Sequence, residues 1–232
     1  MKIDAITTSV NYADYLEHTI SNSKHFDSFT VVTTEDDFDT QELTLMHKGA
    51  RFSVADFGPV FNKGKAINKA IKELKDPEWI VLIDSDIVLP PMTRHILERL
   101  HLNEQCIYGI DRMNCPSKTE WDKYRNSSHA QHENSMWIHS GPWTTMTRVM
   151  SLKHGGYIPM GFFQMFHVHA DAVVNGFYPE NYEDAGNSDL IFAAKWPREN
   201  RQLLPEFIGI HLCTQDLTTG ANWQGRITKD FA

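Results

Sequence analysis

Trp-Ile-Val-Leu-Ile-Asp-Ser-Asp-Ile-Val-Leu-Pro (79–90) runs five apolar residues straight into two aspartates. Trp79 to Ile83 is apolar on both alternating faces, the pattern of a central parallel strand covered by helices on either side. A buried strand that ends in charge is costly unless the charge is paired or used. In open α/β sheets, ligands gather at the carboxyl ends of the strands, where Asp84 and Asp86 would stand.

Upstream, Asn-Lys-Gly-Lys-Ala-Ile-Asn-Lys-Ala-Ile-Lys-Glu-Leu-Lys (62–75) puts Ala66, Ile67, Ala70, Ile71 and Leu74 on one face and lysines on the other, the clearest amphipathic helix in the chain. Before it, Ile3 to Val10 reads as a strand, Ala13, Leu16 and Ile20 as a helix, and Phe29 to Thr34 as a second strand with Glu35, Asp36 and Asp37 directly behind it. Arg51 to Ala55 is a weaker strand, ended by Gly58-Pro59. Downstream, Met92, Ile96, Leu97 and Leu100 space a helix that starts after Pro90 and Pro91, and Gln105 to Ile110 returns as strand. The alternation predicts an α/β fold with an open, mostly parallel sheet flanked by helices. Residues 111–157 break the pattern, being rich in Asn, Ser, His, Trp and Pro, and read as a loop-rich insertion of functional length. After it, 161–169 reads as strand, 189–196 as a short helix and 206–212 as a last strand. With no internal repeat or linker, one domain over 1–232 is expected.

The chain has 232 residues, 22 basic and 30 acidic, for a formal charge of -8. That balance argues against a dedicated binder of nucleic acid or anionic membrane. The amino terminus lacks the layout of a secretory signal, and no apolar run approaches the ~20 residues that span a bilayer, so a soluble, cytoplasmic protein with no transmembrane segment is expected. Cys106, Cys115 and Cys213 show neither zinc-site spacing nor an even number for disulfides, and are expected to be packing thiols.

Two carboxylates one residue apart at a strand end offer hard oxygen ligands that suit Mg²⁺ or Mn²⁺ with a substrate diphosphate. The plain alternative is one helix cap and one solvated side chain. Ile-Thr-Thr-Ser-Val-Asn-Tyr-Ala-Asp-Tyr-Leu (6–16), Phe-Asn-Lys-Gly-Lys-Ala-Ile-Asn-Lys-Ala-Ile (61–71) and Leu-Ile-Asp-Ser-Asp-Ile-Val-Leu-Pro (82–90) resemble, in order and spacing, the nucleotide-binding half of GT-A fold glycosyltransferases, family 2-like enzymes in particular. Asn-Ser-Asp-Leu-Ile-Phe-Ala-Ala-Lys-Trp (187–196) and Ile-His-Leu (210–212) extend the likeness.

The resemblance implies a Rossmann-like nucleotide-sugar-binding half over 1–110 and an acceptor-binding, catalytic half over 111–232. It implies a nucleotide-sugar donor, a UDP-sugar first, and Mn²⁺ or Mg²⁺. Asp84-Ser85-Asp86 matches the family's Asp-X-Asp motif, with Asp84 and Asp86 toward metal and ribose, and His211 matches the third metal ligand. Thr8, Val10 and Asn11 match the loop framing the nucleotide, Glu35, with Asp36 beside it, the acidic position against the base, and Asn62, Lys65 and Asn68 the helix that borders it. Lys65 reads equally as solvated surface. Asp189 matches the base that inverts the anomeric centre, with Ser188 where the family has glutamate and with Glu183 and Asp184 as rivals; its plain reading is a helix cap. Trp223 and Arg226, in Gly-Ala-Asn-Trp-Gln-Gly-Arg (220–226), would close over the diphosphate.

Three other readings compete. A sugar-phosphate nucleotidylyltransferase needs a glycine-rich loop after the first strand, and Thr7-Thr8-Ser9-Val10-Asn11 has no glycine. A non-catalytic nucleotide-sugar or carbohydrate-binding protein lacks only turnover. A zinc hydrolase would draw on His129, His132, His139, His167 and His169. The acceptor stays open among a glycan, a lipid-linked sugar, a protein and hydroxymethylated bases of phage DNA. Trp121, Tyr124, Trp137 and Trp143 would stack on it or pack the insertion, and Lys118, Lys123, Arg125, Arg148 and Lys153 would attract it or remain a solvated surface.

Overall fold

The computed structural model describes residues 1–58, 61–127, 143, 145–146, 150–151, 155–181, 187–212 and 231, without the side chains of 145, 146, 150, 151, 206 and 207. The elements are β1 (Ile3–Thr8), α1 (Ala13–Thr19), β2 (Ser28–Thr33), α2 (Phe38–Met46), β3 (Ala50–Val54), α3 (Lys63–Lys72), β4 (Trp79–Ile83), β5 (Ile87–Val88), α4 (Thr93–Arg99), β6 (Ile107–Cys115), α5 (Lys118–Arg125), β7 (Thr145–Met146), β8 (Met150–Ser151), β9 (Gly156–Tyr157), β10 (Phe163–His167), α6 (Ser188–Ala193) and β11 (Arg201–Leu212). The main sheet runs β3-β2-β1-β4-β10-β6-β11-β5, with β7 on β6, and β8 pairs with β9 apart from it.

The open α/β sheet of GT-A type is present. Its first four strands are parallel, with Ile3 opposite Trp79 and Ile6 opposite Leu82. β10 then runs antiparallel between β4 and β6, β11 returns parallel to β6, and β5 closes antiparallel on β11. The quoted strand is buried on both faces. Trp79, Val81 and Ile83 pack with Leu16, Ile20 and Phe29 in one layer, while Ile80 and Leu82 pack with Ala66, Ile67, Ala70, Phe166 and Phe192 in the other.

Caps mark where the helices start. The Asn62 side chain accepts from Lys65 N at 3.0 Å at the head of α3, and Asp37 accepts from Thr40 N at 3.2 Å at the head of α2. The start of the insertion, over 111–125, is more regular than its composition predicts. β6 continues through Cys115, and Ser117 caps α5 by accepting from Glu120 N at 3.3 Å. Trp121 and Trp143 are buried with Tyr12, Met113, Ile210 and Phe231, and the Tyr124 ring lies 4.8 Å from that of Trp143. These three aromatics therefore pack the insertion onto the sheet. Cys106 and Cys115 are free, buried thiols, and Cys213 lies outside the described residues. Among the described residues no helix is long and apolar enough to cross a membrane.

Candidate active site

β4 ends at Ile83, and Asp84 N donates to Phe162 O at 3.3 Å, fixing the strand end against the segment before β10. Ile87 N donates to Asp84 O at 3.2 Å, so the chain turns tightly through Asp84, Ser85 and Asp86 into β5. β5 pairs with β11 so that Ile87 faces His211, and Leu212 N donates to Asp86 O at 2.8 Å. That register brings His211 Nε2 to 3.3 Å from Asp86 Oδ2. The other ring nitrogen, Nδ1, lies 3.1 Å from Asn114 Oδ1, its register partner on β6.

With Nδ1–H donating to Asn114 Oδ1, the Nε2 lone pair of His211 faces Asp86 Oδ2 and a cation shared by the two would suit that tautomer; in the other tautomer Nε2–H donates to Asp86. The other Asp86 oxygen, Oδ1, is buried with no hydrogen-bond partner among the described residues. Burial alone would raise the Asp86 carboxyl, but His211, Arg112 and Lys63 outweigh it and hold the group below the ordinary carboxylate value. Asp86 thus stays ionised with an oxygen to spare, and a hard divalent cation fits a carboxylate–imidazole pair of this kind.

Lys63, the first residue of α3, places its ammonium on Asp84 Oδ1. Burial works to lower its pKa, yet Asp84, with lesser contributions from Asp189 and Asp86, holds it above the ordinary lysine value. Asp189 enters from α6. Its Oδ2 accepts from Gly161 N at 2.8 Å and its Oδ1 from Leu190 N at 2.8 Å, while Gln164 Nε2 donates to its backbone oxygen at 3.0 Å. Burial raises the Asp189 carboxyl above the ordinary value, and the Gly161 N–H, Lys63 and the Leu190 N–H only partly offset it. A Cβ on Gly161 would meet Asp189 Cβ at 2.8 Å and Oδ2 at 2.9 Å, so only glycine lets this N–H reach the carboxylate.

Asp84 and Asp86 from the turn between β4 and β5 and Asp189 from α6 therefore share one field, with Lys63 from α3 among them. No three His, Cys, Asp or Glu side chains among the described residues are gathered as a ready-made metal centre: Asp86 and His211 are in contact, while Asp84 is held by Lys63. His167 and His169 form no such centre either; the His167 ring is buried, 5.1 Å from that of Trp79.

The residues expected around the nucleotide fall into two groups. Thr8 ends β1, and the loop through Val10 reaches Asn11, whose φ of 55° is left-handed and whose N–H donates to Asp37 Oδ2 at 2.7 Å. Asp37, not Glu35, holds this loop; the Glu35 side chain is exposed beside it. Ser85 is buried and its backbone oxygen accepts from Thr19 Oγ1 at 2.6 Å. Asn62 and Asn68 tie α3 to the segment around Tyr178 and Glu180. Lys65 reaches Asp56 at 3.1 Å in an exposed pair. Trp223, Arg226, Glu183, Asp184, His129, His132, His139, Trp137, Arg148 and Lys153 lie outside the described residues. Sequence reasoning missed Lys63, Asn114 and Gly161; the signals for Lys63 were its place directly after the cap Asn62 and its helical spacing with the buried Ala66, Ile67 and Ala70.

No protein-family model matches the chain, and no curated protein sequence does. Among solved structures, GalNAc-T7 with UDP, GalNAc and Mn²⁺ superposes with a TM-score of 0.51 at 10% identity, over 97% of this chain and 44% of that one. The present chain thus spans less than half of GalNAc-T7. HddC from Yersinia pseudotuberculosis gives 0.47 at 11% identity over 87% and 89% of the two chains. A 4-diphosphocytidyl-2C-methyl-D-erythritol synthase from Anaerococcus prevotii DSM 20548 gives 0.43 at 12% over 98% and 93%. At such identities the GalNAc-T7 likeness is one of fold, and it agrees with the GT-A type sheet.

Proposed function

We propose that this chain is a glycosyltransferase that moves a sugar from a nucleotide-sugar donor, a UDP-sugar first, to an acceptor hydroxyl with inversion. The observation that carries the reading is the shared field of Asp84, Asp86, Asp189 and Lys63 at the carboxyl edge of the sheet, with His211 against Asp86. Asp86 and His211, joined by Asp84, would hold Mn²⁺ or Mg²⁺, which supplies Lewis-acid stabilisation to the departing diphosphate. Asp189 takes the proton of the acceptor hydroxyl as that oxygen bonds to the anomeric carbon, and the carbon–oxygen bond to the diphosphate breaks with its electron pair going to the leaving group. A carboxyl raised by burial is a stronger base than an ordinary aspartate, which supports this role.

In the same reading, Thr8, Val10, Asn11 and Glu35 border the nucleoside, Ser85 lies between the motif carboxylates, and Asn62 and Lys65 stand on the adjoining helix. Trp223 and Arg226 close over the diphosphate. The acceptor is a glycan, a lipid-linked sugar, a protein or a hydroxymethylated DNA base, to be found by screening. The decisive experiment is release of UDP from a panel of UDP-sugars in Mn²⁺. Asp86→Ala is expected to reduce turnover at least about a hundredfold. Unchanged turnover in that variant sinks the reading, and nucleotide binding without any turnover in the unmodified chain would make it a binding protein instead.

A further inference from the structure

The carboxylates at this site are unequally occupied. Asp86 has one oxygen against His211 and one buried oxygen with no hydrogen-bond partner among the described residues, whereas Asp84 already carries the ammonium of Lys63. Half of the expected metal site is open to a cation and half is closed by one. The Lys63 side chain is only 17% exposed, so its charge is not dissipated into water. Lysine is a point charge on a four-carbon stem that moves by rotation about single bonds, without disturbing the helix that bears it.

Resting on the glycosyltransferase reading, we propose that Lys63 is an internal counter-cation that withholds Asp84 from a divalent metal until a nucleoside diphosphate draws the ammonium away. Metal and diphosphate then bind with a positive coupling that passes through this side chain, and the coupling is reciprocal. The enzyme would acquire metal together with its donor rather than hold it at rest. Lys69, on the opposite face of the same helix, has no such part, since it is paired with Glu73 at the surface.

The test is Mn²⁺ binding, followed by electron paramagnetic resonance of the free ion, with and without UDP, in the unmodified chain, Lys63→Met and Lys69→Met. Removal of the Lys63 charge is expected to tighten binding of Mn²⁺ alone about tenfold and to shrink the enhancement by UDP about fivefold, within the usual range of coupling between sites. Lys69→Met is expected to match the unmodified chain. Should Lys63→Met misfold, Lys63→Gln keeps a polar group at the same place and is read in the same way. Equal or weaker binding of Mn²⁺ alone in the folded Lys63 variant overturns the proposal while leaving donor turnover, and so the functional reading, intact. Binding to neither protein, with or without UDP, overturns both the proposal and the metal assignment.

Discussion

A buried carboxylate with one oxygen against an imidazole and the other without a hydrogen-bond partner among the described residues is costly, and such groups cluster where they are used. His25, away from the site, also has a buried nitrogen, Nε2, without a hydrogen-bond partner among the described residues, but an imidazole can meet burial by staying neutral. Burial, with Lys24 adding to it, pushes the His25 imidazole down from 6.5 to about 4. Because the folded value lies below the unfolded one, the neutral ring is favoured by folding: stability is unaffected above 6.5 and falls as pH drops from 6.5 toward 4, where the folded state also takes the proton. The loss amounts to roughly 3 kcal/mol. Urea unfolding at pH 7 and near pH 4 should show it, and His25→Gln should remove most of the difference between the two; an identical pH slope in the variant would contradict the assignment. At this scale the sequence was readable where chemistry was written next to a strand, as at Asp84 and Asp86. Lys63 was passed over although its spacing sets it apart: it stands three, four and seven residues before the buried Ala66, Ile67 and Ala70, at the head of the apolar face, while Lys65, Lys69 and Lys72 lie on the opposite one.

The helices show the same division between local and long-range information. α3 was legible because its small and β-branched residues repeat at helical spacing and all of Ala66, Ile67, Ala70 and Ile71 are buried. α2 was not, since its large apolar residues Phe38, Leu45 and Met46 face outward while Thr40 and Thr44 are the buried ones, which inverts the usual pattern. The polar residues of α3 carry a second lesson. Asn68, expected beside the nucleotide, gives Nδ2 to Tyr178 O at 2.8 Å and to Glu180 Oε1 at 2.6 Å, and its Oδ1 accepts from Tyr178 N at 2.9 Å. With Asn62 Nδ2 on Glu180 O at 2.7 Å, two asparagines bind the segment after β10 onto the helix that presents Lys63. Asn68→Ala leaves the buried backbone of Tyr178 without these partners and is expected to destabilise the fold by about 2 to 3 kcal/mol. Chemical denaturation reads this directly, and a loss below about 0.5 kcal/mol would show that water replaces the amide without penalty.

Across the whole molecule, the site is assembled from the head of α3, the turn between β4 and β5, the end of β11, the start of α6 and the segment before β10. Each piece had a local signal, but their meeting depends on the pairing of β11 with β5 and β6 and of β10 with β4, and periodicity along one segment carries no record of its distant partner. Because the pieces come from both 1–110 and 111–232, a ligand that bridges them must stabilise both halves together. At about a hundred times its dissociation constant, UDP with Mn²⁺ would add about 2.7 kcal/mol to the unfolding free energy by linkage. For a chain of this size each kcal/mol moves the midpoint by about 2–4 °C, so thermal unfolding should shift upward by roughly 5–10 °C as one transition. Asp86→Ala, which removes the carboxylate facing His211 but leaves the ordering of the sheet, should unfold once and show little of the ligand-induced shift. Two separate transitions, of which UDP and Mn²⁺ move only one, would instead mean that the halves fold independently and that the donor is held by one of them alone.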